Sequence, residues 1–149
     1  MHARSQEHGA AAAVVQRYYA AINARDYGTA WSQWGENGPA GQTMERFQAG
    51  FAATRATHVT IYRMTPGDAG AGSIYQPVPV TVDAELADRT RQHFAGTYVV
   101  RRVNDVDGAS RAAALAHRFG EAATRFIGVT WTGNRLYRTI HPSFTRSGV

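Results

Sequence analysis

Ala13-Val14-Val15-Gln16-Arg17-Tyr18-Tyr19-Ala20-Ala21-Ile22-Asn23-Ala24-Arg25-Asp26 is the stretch whose reading decides the fold. Val14, Val15, Tyr18, Tyr19 and Ile22 recur at i, i+1, i+4, i+5 and i+8, which lays a broad apolar stripe along one helix face. Such a face must be covered by the rest of the chain. Two tyrosines within it bring hydroxyl groups into or beside an apolar space, where each needs a partner or a ligand. The helix is expected from Glu7 or Ala10 to Ala24, stopping near Asp26-Tyr27-Gly28, where turn residues cluster.

Working outward, Thr29 is expected to cap a short second helix that carries Trp31 and Trp34 on one face. Gly35-Glu36-Asn37-Gly38-Pro39-Ala40-Gly41 reads as a loop. Thr43 caps a third helix with Glu45 in its first turn, and Met44, Phe47 and Phe51 form its apolar face. From Thr57 to Met64 the period changes to two and β-branched residues appear, which marks the first strand. Pro66 to Gly72 makes the reversal into a strand whose valines, Val78, Val80 and Val82, alternate with Pro77, Pro79, Thr81 and Asp83. Its two prolines suggest an edge or a bulge, since proline cannot donate to a ladder. Ala87-Asp88-Arg89 turns into a strand from Thr90 to Val103 with Phe94, Tyr98 and Val100 expected inward. After Asn104-Asp105-Val106-Asp107-Gly108, Ser110 would cap an Ala-rich helix with Leu115, Phe119 and Ala123 on one face. Strand-like residues Phe126 to Trp131 and a turn at Gly133-Asn134 would follow.

A chain of 149 residues that is 44% hydrophobic suits one domain with one core. No stretch approaches the roughly 18–20 apolar residues of a membrane span, and no apolar leader block opens the chain. A soluble, cytoplasmic protein is expected, with a mature secreted form left open. The absence of cysteine excludes disulfides, thiolate nucleophiles and cysteine zinc sites. All sixteen basic side chains are arginine, a bias that fits a GC-rich coding sequence. Residues 1–100 hold eight arginines against eight acids, whereas 101–149 hold eight against three. That basic third would attract phosphates, but no nucleic-acid motif accompanies it, so nucleic acid is not the expected partner.

Three helices feeding a meander of antiparallel strands describe an α+β layer arrangement with a curled sheet closing over helices. The segment from Val14 to Asp26 resembles the first helix of ketosteroid isomerases and other nuclear transport factor 2-like (SnoaL-like) proteins. Phe94-Ala95-Gly96-Thr97-Tyr98-Val99-Val100-Arg101-Arg102 resembles a long central strand of uncharacterised bacterial members of that superfamily. The resemblance covers about residues 10–108 and implies a cystatin-like cone, with residues 1–9 as a disordered N-terminus. It also implies that Tyr18 matches the tyrosine that donates a hydrogen bond to a developing enolate in the isomerases. That chemistry needs a carboxylate base roughly two dozen residues later and a protonated carboxylic acid as second donor. Here the first region reads Gly38-Pro39-Ala40-Gly41-Gln42, with only Glu36 and Glu45 nearby, and the second position falls near Gly96 or Thr97. Glu36 or His93 would have to serve as an unorthodox base.

The six histidines, at 2, 8, 58, 93, 117 and 141, show no ligand spacing, so neither a metal nor a cofactor is expected. The aromatic group Tyr18, Trp31, Trp34, Phe47, Phe51, Tyr62 and Tyr98 has two readings. It is either ordinary core or, in part, the wall of a pocket for an apolar or aromatic small molecule. The leading expectation is a small-molecule-binding or accessory domain that dimerises through the outer face of its sheet. The alternatives are an isomerase or cyclase with Tyr18 as donor, and a structural dimerisation module. The resemblance further implies a last strand with a Trp-Arg-Ile-like string, which the chain lacks. Back-translation of Ala112 to Glu121 with GC-rich codons, read one base later, permits Arg-Arg-Arg-Trp-Arg-Ile-Gly-Ser-Ala followed by Lys. Residues 109–149 are therefore expected to be atypical, either native or out of frame from about Ser110. In the second case the sheet would lose a strand and expose an edge.

Overall fold

The apolar stripe of the first helix is covered by a long antiparallel sheet. The computed structural model describes residues 2–70, 72–103 and 124–136. Helices α1 (His2–Asn23), α2 (Tyr27–Ser32) and α3 (Met44–Phe51) precede strands β1 (Thr54–Ile61), β2 (Asp68–Gly70), β3 (Ser73–Leu86), β4 (Arg91–Val103) and β5 (Thr124–Leu136). The strand order is β1-β3-β4-β5 with β2 beside β3, and every pairing is antiparallel. The α+β class is thus the observed one. No helix among the described residues is long and apolar enough to cross a membrane.

Helix α1 buries Ala11, Val14, Val15, Tyr18, Tyr19, Ala21 and Ile22, while Gln16, Arg17 and Ala20 face outward. It starts at His2. Its end is made by Arg25, held at φ 63°, with the Asp26 N–H donating to the Ala21 carbonyl (2.8 Å) and the Arg25 N–H to that of Ile22 (3.1 Å). This is the paired-bond helix stop in which a left-handed residue satisfies the last carbonyls. A guanidinium–carbonyl bond from Arg25 to Thr54 anchors the strained residue to the start of β1. The cap of α2 is Asp26, whose carboxylate accepts from the Thr29 N–H (3.2 Å) and hydroxyl (2.6 Å). Thr29 is therefore the capped residue and not the cap, because the carboxylate three residues earlier reaches the free N–H first. The cap at Thr43 forms as expected, accepting from the Arg46 N–H at 3.2 Å.

Strands β3 and β4 supply the floor of the core. Val78, Val80 and Val82 are fully buried, as are Phe94, Tyr98 and Val100 on the neighbouring β4, with Tyr98 opposite Val78 and Phe94 opposite Val82. Strand β3 lies inside the sheet, which corrects the edge assignment, and its prolines survive there for a local reason. Pro79 accepts a backbone bond from Tyr62 (2.9 Å), so Pro79 and Pro77 turn their missing N–H groups away from β4. They face the notch between the last pair of β1, Ile61 with Val80, and the first of β2, Asp68 with Tyr75. Gln76 fills that notch, its amide donating to the carbonyls of Thr65 and Pro77 (each 2.8 Å). Prolines thus occupy a gap where no donor is needed.

The sheet does not lose its last strand: β5 pairs along β4 from Arg102–Thr124 to Gln92–Leu136. Gly133 and Asn134 sit within it, opposite Ala95 and Phe94, and do not form a turn. Two register shifts, at Ala95/Gly96 and Val99/Val100, each insert one extra residue in β5 and bend the strand. The expected Ser110 cap and the face of Leu115, Phe119 and Ala123 lie outside the described residues. At the first shift, a Cβ on Gly96 would stand 2.5 Å from the Trp131 ring and 2.6 Å from the Thr130 carbonyl. Gly96→Ala is accordingly expected to destabilise the fold by about 1–3 kcal/mol, read as a lower urea midpoint at unchanged slope.

Candidate functional site

Between α1, α3, the loop after α2 and the strands β4 and β5 lies a cavity of about 730 Å³. That volume is in the range of small-molecule sites. Helix α1 contributes Tyr18 and Tyr19, α3 contributes Phe47 and Phe51, β4 contributes Tyr98, and β5 contributes Phe126 and Trp131. Trp34 and residues 37–42 form the wall on the loop side. The rings meet mostly edge to face: Tyr18 stands 5.3 Å from Phe126 at 87° and 5.0 Å from Tyr19 at 84°. Tyr98 and Phe126 lie 4.6 Å apart, and Trp34 and Phe126 4.9 Å. Each such pair adds about 0.5–1.5 kcal/mol beyond area burial, so the wall is stiff.

Trp31 and Trp34 separate because α2 ends at Ser32. Trp34 turns inward, whereas Trp31 packs on Phe47 (5.6 Å) and donates its indole N–H to the Glu36 carbonyl (3.1 Å). Gly38, at φ +67°, lies flat on that indole, where a Cβ would be 2.2 Å from the ring. Trp31 is thus a support for the loop and does not line the cavity. Tyr62 is also absent from the wall: it is 51% exposed, with its hydroxyl 3.1 Å from that of Thr81. Glu36 is exposed on the loop and does not reach the cavity. His93 alternates to the outer sheet face, where its Nδ1 lies 2.6 Å from Asp83 Oδ1. Neither candidate base stands beside Tyr18.

The polar side chains of the wall are the phenols, the Trp34 indole, the Asn37 and Gln42 amides and the Arg125 guanidinium. The hydroxyls of Tyr19 and Tyr98 share a buried hydrogen bond of 2.5 Å. Tyr19 therefore carries the structural bond, and Tyr18 is left facing the cavity without a backbone partner among the described residues. The Trp34 indole N–H is buried without a hydrogen bond of normal geometry. It stands near enough to Tyr18 to favour that tyrosine's ionised form, but burial dominates and pushes the Tyr18 hydroxyl well above its ordinary value, with Tyr98 adding to the rise. Burial likewise raises Tyr19 and Tyr98, each further raised by a neighbouring tyrosine. All three hydroxyls are protonated at neutral pH. Among the described residues no Asp, Glu or His lines the cavity, and no three metal-ligating side chains gather anywhere.

The members of the wall that periodicity did not single out, Phe126, Trp131, Arg125 and residues 37–42, come from a strand bent by bulges and from a loop. Neither has a regular period to read. Comparison with models of protein families finds no match for this chain, and a search of curated proteins finds none either.

Two outcomes follow from the tyrosine bond. Tyr19→Phe or Tyr98→Phe alone leaves one buried hydroxyl unpaired and is expected to cost about 1–3 kcal/mol, while the double variant costs less than the sum, as a denaturation cycle will show. Folded-state values above 10.0 mean that the unfolded chain loses these protons first, so stability is full below about pH 10 and falls as pH rises beyond it. Urea midpoints measured across that range should fall less steeply for Tyr98→Phe.

Proposed function

We propose that this protein binds a small, largely aromatic or apolar molecule in the cavity beside Tyr18, with no proton transfer at carbon. The observation that carries this reading is the pairing of a cavity of about 730 Å³ walled by aromatic rings with a Tyr18 hydroxyl that no backbone group satisfies. An uncommitted donor in an apolar wall orients a ligand through one hydrogen bond and leaves the rings to supply contact area. Moving a proton between carbons needs a base within reach of the substrate, and the wall offers donors in its place. That chemistry sets binding above the isomerase or cyclase reading, although the first helix and the β4 segment resemble nuclear transport factor 2-like proteins.

A homodimer through the outer sheet face belongs to the same proposal. Thr60, Thr81, Ala95 and Thr97 make the middle of that face small and uncharged, so two copies can approach closely there. Thr97→Arg is expected to convert a dimer to a monomer in light scattering. For the site itself, thermal unfolding with a panel of two-ring aromatic compounds should raise the melting temperature in proportion to ligand occupancy. Tyr18→Phe is expected to keep the fold and to weaken the tightest ligand about five- to tenfold, one lost hydrogen bond. Unchanged melting with every compound would overturn the reading.

A further inference from the structure

Arg125 is the sole formally charged residue in the cavity wall among the described residues. It enters β5 one residue before the buried Phe126, whose N–H donates to the Gln33 carbonyl (2.8 Å) and ties the strand edge to the loop after α2. The guanidinium is held by Nη1, which donates to the Trp34 carbonyl (3.4 Å), and it lies against Gly35, where a Cβ would be 3.1 Å from the same nitrogen. Its Nε is buried without a partner. Other arginines are committed elsewhere. Arg55, Arg89 and Arg91 surround Glu85, Arg25 serves the Thr54 carbonyl, and Arg101 donates to Ser73 (3.1 Å). Arg125 has no carboxylate partner among the described residues.

A half-buried cation in an apolar wall is poorly solvated, and Nη2, which no described group engages, can donate to a carboxylate in a charge-assisted bond. Resting on the binding reading above, we infer that the ligand is an aromatic carboxylic acid, with its ring among Tyr18, Tyr98, Phe126 and Trp34 and its carboxylate on Arg125. The wall discriminates by sign: its one formal charge is the Arg125 cation, so a protonated amine meets a like charge and can pair only with the neutral oxygens of the Asn37 and Gln42 amides and of the phenols.

Calorimetric titration of the full chain with three matched probes tests this: naphthalene-2-carboxylate, the neutral 2-naphthylmethanol and the cationic 2-naphthylmethylammonium. The carboxylate should bind about tenfold or more tightly than the alcohol and the ammonium most weakly, the margin shrinking with added salt. Arg125→Gln should remove the carboxylate's advantage over the alcohol when both are measured on that variant, and Arg125→Lys should fall between. Equal binding of carboxylate and alcohol by the unaltered chain overturns this inference and spares the binding reading. A preference that persists in Arg125→Gln overturns the assignment to Arg125. Binding of none of the three overturns both readings. The unaltered chain alone decides the first and third cases, so a variant that folds poorly does not blunt the test.

Discussion

The burial of the tyrosine face of α1 against β4 and β5 is the constraint on which the rest of the structure depends. Tyr18 and Tyr19 cannot enter the core as apolar side chains do, because each brings a hydroxyl that loses its water. The bond between Tyr19 and Tyr98 resolves one half of this problem, and it joins residues 79 positions apart. Such a bond fixes the rotation of α1 about its axis and its height over the sheet. With that rotation set, Tyr18 faces Phe126 and Trp34, and the space between helix and strands becomes a cavity instead of a filled seam. The strength of the bond therefore bears on the site as much as on stability.

Phenols held protonated by burial, an indole N–H and a guanidinium all donate, and no carboxylate stands among them in the described wall. Donors of this kind can bond a hydrogen-bond acceptor placed in the cavity. The charged pairs among the described residues are instead on the outside. Asp83 with His93 and Glu85 with its three arginines occupy the outer side of the sheet, where screening leaves them little energetic weight.

Much of the architecture was legible because it rests on short-range pattern. The stripe of α1, the Thr43 cap and the alternation of Val78, Val80 and Val82 each follow from periodicity or from a single side chain reaching its own backbone. Three readings failed, one where a nearer local partner took the cap and two where a neighbour in space overrode the local signal. Asp26 displaced Thr29 as cap, prolines sat inside the sheet because β1 and β2 leave a notch beside them, and Gly133-Asn134 stayed extended because β4 continued to pair with them. The site was legible to a lesser degree. Tyr18, Trp34, Phe47, Phe51 and Tyr98 line the cavity as one of the two aromatic readings required, while Trp31 and Tyr62 do not, since the end of α2 and the alternation of β1 send them elsewhere.

What the sequence by itself determined is which faces must be buried and that two phenols would be buried with them. Helical and strand periods are properties of a few consecutive residues, and they need no knowledge of the partner. What only the tertiary structure decided is which phenol is spent on structure and which is free, for Tyr18 and Tyr19 are neighbours with the same side chain on the same apolar stripe. Their difference arises from Tyr98, far along the chain, and from the bends of β5 that bring Phe126 and Arg125 to the wall. Hydrogen bonds of that range depend on the register and curvature of a whole sheet, and no local pattern encodes them.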